Sequence, residues 1–220
     1  MNIDTKKYAL PANEVVAQTG KVGYDRILLH FTAGSSAAGA WAGWMSDRDS
    51  AGNRIRVAAP YLIDRDSAAS VYQVFDPAKF WAWHIGGTEV CPTSVNSRSI
   101  GIEVVNIGRL TLGKDNRTLY NYLNKVHCTL DETALYVKHP VWRTVEYWQP
   151  FTMTQLANLK TLVRMLSAQW DIPLIPLPAN IRMEICNKEA CAHKGITAHH
   201  NYLGKTDVGP LVDQDWLVSA

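Results

Sequence analysis

Four residues able to bind a metal or move a proton lie within a short segment near the C-terminal end of the sequence. They are His199, His200, Lys205 and Asp207, in the segment ITAHHNYLGKTDVGP. Two glycines and a proline in the same segment are typical of a loop. Imidazole and carboxylate groups are common zinc ligands, and lysine supplies a positive charge. The segment therefore indicates one half of a hydrolytic metal site.

The other half of such a site can be sought at His30, which ends the apolar run of residues 27–29. A short run that is apolar on both faces is typical of a buried strand. His199 likewise follows a short strand, residues 196–198. Either histidine alone would more often be an ordinary buried residue. If the strands are neighbours, however, both imidazoles and Asp207 can form a tetrahedral zinc site with one open position.

A hydrolytic metal centre also needs a general base and a group that stabilises the oxyanion. Glu103 lies in the apolar strand 99–105, where a buried carboxylate is costly unless it has a partner or a function. Lys205 could stabilise the oxyanion. Glu103 could instead be a strand residue that faces solvent, and Lys205 could be an ordinary loop lysine.

The remaining pattern predicts an α/β fold, a single domain over residues 1–220 with a central mixed β-sheet flanked by helices. Ser35 or Ser36 can cap a helix that runs to about Asp47, and Thr152 with Gln155 forms a capping box before the strongest helical pattern. Residues 107–149 show no clear period. This segment predicts a long insertion with little regular structure.

The composition excludes several classes of protein. A net charge of +2 over 220 residues argues against a nucleic-acid partner, and no apolar run approaches the roughly 18 residues of a membrane span. The first 20 residues lack a signal-peptide core, so we expect a cytoplasmic protein as synthesised. Among four cysteines, Cys186 and Cys191 are close enough to pair or to share a metal, although free thiols are the more expected state.

Five motifs in a fixed order connect the chain to a known family. They are HFTAG, WAWHIGG, NSRSIGIEVVN, YWQPFT and ITAH with KTDVGP, and they extend from about residue 24 to 212. Together they resemble the zinc-dependent N-acetylmuramoyl-L-alanine amidases, whose fold is shared with peptidoglycan recognition proteins. SIGIE and K-x-D-x-G-P are fairly specific, whereas HFTAG or WHIGG alone would be weak.

The resemblance implies a role for each matched residue. The expected zinc ligands are His30, His199 and Asp207. The expected catalytic residues are Glu103, which takes a proton from the attacking water, and Lys205, which stabilises the tetrahedral intermediate. The expected substrate-binding residues are His84 and Asn96. The loop after His199 is shorter than is common in the family. Because adjacent strand residues face opposite sides, only one of His199 and His200 can reach the metal, and ITAH matches in register with His199.

The resemblance also implies a reaction, the hydrolysis of the amide between N-acetylmuramic acid and L-alanine in peptidoglycan or muropeptides. We expect a monomer that holds Zn²⁺. It could be a phage lysin (an endolysin) that degrades the cell wall after release, a cytosolic enzyme that recycles muropeptides, or a wall enzyme exported by another route.

Two other interpretations stay open at this point. The chain could be a non-catalytic muropeptide-binding protein of the same fold. Alternatively, Cys186, Cys191 and His193 with His199 or His200 could form a structural zinc site, since their spacing is only slightly unusual. Four tryptophans could line a cleft for sugar or peptide, although they are more often core residues; these are Trp41, Trp44, Trp81 and Trp83.

Overall fold

The computed structural model describes residues 1–20 and 23–219. Runs of short strands are separated by helices in this part of the chain. The helices are α1 (Ala37–Ser46), α2 (Thr93–Ser97), α3 (Met153–Trp170), α4 (Asn187–Ala192) and α5 (Gln214–Val218). The strands are β1 (Ile3–Asp4), β2 (Val16–Ala17), β3 (Arg26–Phe31), β4 (Tyr61–Ile63), β5 (Val71–Gln73), β6 (Phe80–Trp81), β7 (Ser99–Val104), β8 (Arg109–Leu112), β9 (Thr118–Tyr120), β10 (Val126–Thr129), β11 (Val137–Trp142), β12 (Val145–Trp148) and β13 (Gly195–Ala198).

The central sheet has six strands in the order β1-β5-β4-β7-β3-β13. Strand β3 pairs in parallel with both β7 and β13, and β4 pairs in parallel with β7 but antiparallel with β5. The sheet is therefore mixed, and the predicted α/β fold is confirmed. The domain limits of 1–220 stay a prediction. No helix of the described residues is long and apolar enough to cross a membrane.

Strand β3 lies between β7 and β13 in this sheet. All six of its residues are buried, as expected for a strand covered on both faces. In the pairing register His30 lies opposite Glu103 on β7, and Leu29 lies opposite Ala198 at the end of β13. The carboxyl ends of these three strands therefore meet at one edge, which brings His30, Glu103 and His199 together.

Helix α3 covers one face of the sheet and begins as the sequence predicts. The Thr152 hydroxyl accepts a hydrogen bond from the Gln155 backbone N–H at 3.1 Å, and the Gln155 side chain accepts one from the Thr152 N–H at 3.1 Å. The Gln155 amide also donates to the Val105 carbonyl at 2.8 Å, which fastens the start of α3 to the end of β7. Four fully buried side chains of α3 pack in the main core: Leu159, Leu162, Val163 and Leu166.

Helix α1 covers the other face. The Ser36 hydroxyl accepts a hydrogen bond from the Gly39 N–H at 3.1 Å, which confirms the predicted cap. Trp41 and Trp44 pack against the second hydrophobic cluster, around Leu62 and Tyr72. These two tryptophans therefore contribute to the core, the more expected of the two interpretations.

The prediction of little regular structure at 107–149 is wrong. This segment forms a five-stranded antiparallel sheet in the order β10-β9-β8-β12-β11, with a small core of Leu110, Leu119, Cys128 and Tyr147. Its strands have three to six residues and alternate between buried and exposed positions only briefly, as in β8. Such short alternations, interrupted by turns, do not produce a readable period in a sequence. We call this element the inserted sheet.

Amide side chains join the base of the inserted sheet to the central sheet. The Gln149 side chain accepts a hydrogen bond from the Ile107 N–H at 2.8 Å, and its backbone N–H donates to the Gly108 carbonyl at 2.9 Å. The buried Asn106 amide donates to the Gln149 carbonyl at 3.3 Å. Gly108 has a φ of 77°, and a Cβ there would overlap the Phe31 ring, so the crossing requires glycine.

The cysteines differ from the expected states. Cys91 and Cys191 form a disulfide, and Cys128 and Cys186 are free and buried. The interpretation that pairs Cys186 with Cys191 is therefore wrong, and the expectation of free thiols holds for Cys186 but is wrong for Cys191. A partner 100 positions away in the sequence depends on how α4 packs beside the segment before α2, which local spacing does not reveal.

Candidate metal centre and cleft

The three predicted ligands converge at the carboxyl edge of the central sheet. The Nδ1 atoms of His30 and His199 are 3.1 Å apart, and the Oδ2 atom of Asp207 lies 2.8 Å from His199 Nδ1 and 3.3 Å from His30 Nδ1. A tetrahedral zinc ion with bonds of ~2.0–2.1 Å holds its ligand atoms ~3.3 Å apart. The triangle of donor atoms thus has the size and the chemical composition that zinc requires.

The protonation states of this cluster also suit a cation. Burial lowers the pKa of His30 to about 4, so its imidazole is neutral at neutral pH. Burial alone would raise the pKa of Asp207, but His199 and His30 hold that pKa below its ordinary value, and the carboxyl group is ionised. The Nε2 atom of His199 lies 3.0 Å from the Ile85 carbonyl, which can only accept, so Nε2 carries a proton.

His200 points away from the cluster and has a different task. It is fully buried, its Nε2 atom lies 3.0 Å from the Arg182 carbonyl, and its Nδ1 atom lies 3.2 Å from the Asp207 carbonyl. Burial lowers its pKa to about 4. The structure thus places His199, and not His200, with His30 and Asp207, while His200 fixes the fold of the loop.

A residue of the inserted sheet also holds this loop. Arg143, in the turn between β11 and β12, donates hydrogen bonds to the carbonyl of His200 at 2.9 Å and to that of Lys205. Its guanidinium lies 4.6 Å from the centre of the Trp142 ring, and that ring contacts His200 edge-on at 5.1 Å. No sequence pattern indicates Arg143, because its role depends on the turn between β11 and β12, which the sequence does not predict.

Glu103 and Lys205 line one cavity of about 400 Å³ beside the cluster. The Glu103 Oε2 atom is buried and has no hydrogen-bond partner in the described part of the chain. Burial, with a smaller contribution from the negative charge of Asp207, raises the pKa of Glu103 well above its ordinary value. A carboxylate left without a partner beside three ligand-type groups is a strong candidate for a proton-transfer residue.

The wall of this cavity also includes residues that are not among the predicted site residues. Arg109 and Tyr122, both from the inserted sheet, line it together with Phe31 and Thr206. The Arg109 guanidinium makes no hydrogen bond or ion pair with any residue that the structure describes. Its position directly after the glycine that ends the NIG motif was a weak signal, and nothing in the sequence pattern placed Tyr122 near Glu103.

A second, more apolar cavity lies on the other side of the cluster. It shares His199 and Lys205 with the first cavity and is otherwise lined by Ile55, Val57, Trp83, His84, Ile85, Gly86, Gly87 and Leu203. Trp83 therefore lies at the cleft, with Trp81 against it at a ring distance of 5.1 Å. The donor triangle is thus flanked by a polar space and an apolar space.

The two predicted substrate-binding residues differ in their surroundings. Asn96 is fully buried; its Oδ1 atom accepts hydrogen bonds from the N–H groups of His84 and Ile85 at 3.0 Å, and its Nδ2 atom donates to Gly86. The prediction that Asn96 contacts substrate is therefore wrong, because the amide is both covered and satisfied. The His84 ring lines the apolar cavity, but both of its nitrogen atoms face other side chains of the protein.

The structural zinc site that sequence spacing allowed is also wrong. Cys191 is bonded to Cys91, and His193 Nε2 lies 2.8 Å from the Ile175 carbonyl. In the part of the chain that the structure describes, the group of side chains able to hold a metal is the one formed by His30, His199 and Asp207.

Comparison with known proteins agrees with this geometry. The family model described as N-acetylmuramoyl-L-alanine amidase matches residues 19–210. The match covers most of the sequence, and the chain belongs to this family. No curated protein matches the sequence.

Solved structures of amidases have a similar fold at low sequence identity. AmpDh3 from Pseudomonas aeruginosa is 17% identical, with a TM-score of 0.50 over 99% of this chain and 65% of its own. A selenomethionine derivative of AmpD is 19% identical, with a TM-score of 0.47 over the full length of both chains. AmiD from E. coli is 19% identical, with a TM-score of 0.48 over 98% of this chain, which spans 63% of that protein.

Proposed function

We propose that the protein is a zinc-dependent N-acetylmuramoyl-L-alanine amidase. One observation carries the proposal: the three donor atoms of His30, His199 and Asp207 form a zinc-sized triangle next to Glu103, whose Oε2 atom has no hydrogen-bond partner among the described residues. Membership of the amidase family supplies the reaction, the hydrolysis of the amide between N-acetylmuramic acid and L-alanine.

Each residue of the site has a task in this reaction. When bound, zinc polarises the substrate carbonyl and lowers the pKa of water. Glu103 accepts the proton of the attacking water and returns it to the alanine nitrogen as that group leaves. The raised pKa of Glu103 suits both tasks, since a stronger base takes the proton more readily and can still donate it. The Lys205 ammonium faces the same cavity and offsets the negative charge that develops on the carbonyl oxygen.

The two cavities suit a substrate that extends in both directions from the scissile bond. An apolar space with Trp83 can accept the face of a sugar ring, and the polar space with Arg109 can accept a charged peptide. We therefore propose peptidoglycan or muropeptides as substrates. His30, His199 and Asp207 of the chain itself would hold the Zn²⁺ ion, and we propose a monomer.

The test is product analysis by mass spectrometry after the purified protein is incubated with intact peptidoglycan and with soluble muropeptides. We expect release of peptides with a free N-terminal alanine, loss of this activity in a chelator, and its return with added zinc. Glu103→Gln is the matched control, since it should bind one zinc per chain without cutting. Cleavage of the polymer would favour a lysin, and cleavage of small muropeptides alone would favour recycling.

A non-catalytic muropeptide-binding protein is the outcome that would contradict the proposal. Its signature would be one zinc per chain and saturable muropeptide binding in the wild-type protein, with neither substrate cut. Glu103 and Lys205 would then lose their catalytic roles.

A further inference from the structure

A buried chain of hydrogen bonds connects His30 to Ser99 through His84. His30 Nε2 lies 3.1 Å from His84 Nδ1, and His84 Nε2 lies 2.8 Å from the Ser99 hydroxyl. The Ser99 hydroxyl in turn lies 3.0 Å from the Asn96 carbonyl. The exposed fractions of His30, His84 and Ser99 are 1%, 7% and 4%, so solvent does not compete for these hydrogen bonds.

The direction of the chain follows from its last member. A backbone carbonyl only accepts hydrogen bonds, so the single proton of the Ser99 hydroxyl is donated to Asn96. The hydroxyl then accepts a proton from His84 Nε2, which leaves a lone pair on His84 Nδ1. That lone pair accepts the Nε2 proton of His30, and His30 Nδ1 is left with a lone pair directed at His199 and Asp207.

A neutral imidazole ring exists as one of two tautomers, and the hydrogen-bond partner at one nitrogen selects which nitrogen carries the proton.

We propose that Ser99 and His84 are positioning residues that select the tautomer of His30 able to bind the metal through Nδ1. If the chain ran in the opposite direction, Ser99 would donate to His84, His84 would donate to His30 Nε2, and the His30 Nδ1 proton would block the site. The inference rests on the proposed metal site, and it assigns to His84 a role other than substrate contact.

The surroundings of His84 hold the ring in this position. The Asn96 side chain accepts hydrogen bonds from the backbone N–H groups of His84 and Ile85, while its backbone carbonyl receives the Ser99 proton. Across the ring, a Cβ at Gly101 would lie 2.9 Å from His84 Nδ1, so glycine on β7 leaves the space that the ring occupies. Asn96 thus fixes both ends of the His84–Ser99 contact.

The test measures zinc affinity by competition with a chromophoric chelator, using the full-length protein stripped of metal. We expect Ser99→Ala to weaken zinc binding about 10- to 100-fold, the usual effect of removing a hydrogen bond that orients a metal ligand. Ser97→Ala is the matched control, because the hydroxyl of this half-buried serine two positions away donates to the Ser94 carbonyl and, among the described residues, contacts no histidine ring. It should bind zinc as the wild type does.

Two variants of His84 separate positioning from packing. His84→Asn can keep an acceptor near His30 Nε2, whereas His84→Leu fills the space without one. We expect His84→Asn to retain more of the wild-type zinc affinity than His84→Leu, at similar thermal stability. Equal affinities for these two variants, together with wild-type affinity in Ser99→Ala, would overturn the proposal.

The tautomer can be observed directly in the metal-free wild-type protein. Nitrogen-15 NMR of the histidine rings should show His30 protonated at Nε2 and unprotonated at Nδ1. The opposite tautomer would refute the inference even if zinc binds. If His30 has the expected tautomer but the wild-type protein binds no zinc, the hydrogen-bond chain stands and the proposed function fails instead.

Discussion

The central sheet and the inserted sheet contribute to the same cleft in different ways. The three buried strands β3, β7 and β13 end at the cleft and bring His30, Glu103 and His199 within one cluster of side chains. The inserted sheet supplies Arg109 and Tyr122 to the wall. The difference suggests that the central sheet carries the chemistry and the inserted sheet shapes the space around it.

The two sheets also differ in how firmly their side chains are held. On β3 every residue is buried, whereas β11 alternates between exposed and half-buried residues and Arg109 at the start of β8 is exposed. Close packing restricts side-chain motion, so groups on β3 can be held to the tolerance that metal binding requires. Arg143 is the exception in the inserted sheet, because it contacts the loop of the metal ligands directly.

The largest effect is expected for Asp207→Asn, which replaces the anionic member of the donor triangle. A neutral amide is a much poorer zinc ligand, so zinc affinity should fall more than about 100-fold, beyond the loss typical of an outer residue. Metal content after dialysis and the rate of muropeptide cleavage would check this. Wild-type activity in the variant would mean that the donor triangle at the edge of the central sheet does not take part in the reaction.

Glu103→Gln should lower kcat by about 10²- to 10⁴-fold, the usual contribution of a general base, while zinc stays bound. The glutamine has nearly the same shape, so the cavity and the donor triangle should be unchanged. Parallel measurements of kcat and metal content would show the separation. A variant that loses zinc instead would mean that Glu103 supports the metal site and does not transfer the proton.

Arg143→Ala tests whether the inserted sheet also affects the chemistry. The change removes two hydrogen bonds to the loop that carries Lys205 and Asp207, and small misplacements of catalytic groups are costly. We expect kcat to fall about 10-fold. Arg117→Ala is the control, since this exposed arginine of the same sheet pairs with Asp131. Equal activities of the two variants would mean that the inserted sheet only lines the cavity and does not affect the position of the catalytic groups.

Arg109→Gln should raise KM about 10-fold for a muropeptide whose stem peptide has free carboxylates. It should leave KM unchanged for the same muropeptide with those carboxylates converted to amides. The reason is the loss of a charge-assisted hydrogen bond from a guanidinium that has no partner in the described protein. Steady-state kinetics on the two matched peptides would show it. An equal change for both peptides would indicate that Arg109 acts on the shape of the cavity and not on charge.

The smallest effect on activity is expected for Cys91→Ser. Opening the Cys91–Cys191 disulfide frees a loop of 100 positions in the unfolded chain, which should lower the free energy of unfolding by roughly 3–5 kcal/mol. The disulfide does not line either cavity, so kcat should stay at the wild-type value well below the melting temperature. Urea unfolding and activity assays on one preparation would compare the two quantities.

Much of the central sheet was predictable because its signals are local. The apolar runs of β3 and β7, the Ser36 cap and the Thr152–Gln155 capping box are each encoded within a few residues, and all are confirmed. The inserted sheet was not predictable, since its strands are short and become stable only when paired with one another. The same limitation hid Arg143 and Tyr122, which reach the cleft only through that pairing.

By itself, the sequence determined which residue types lie at or next to the carboxyl ends of the central strands: histidine at 30 and 199, and glutamate at 103. Only the tertiary structure decided which of them meet and in which orientation. Parallel pairing of β13 with β3 placed His199 beside His30, and burial turned His200 and Asn96 into structural residues. The sequence specifies which side chains each strand carries. Contacts between segments that are distant in the sequence form only when packing removes their apolar surface from water.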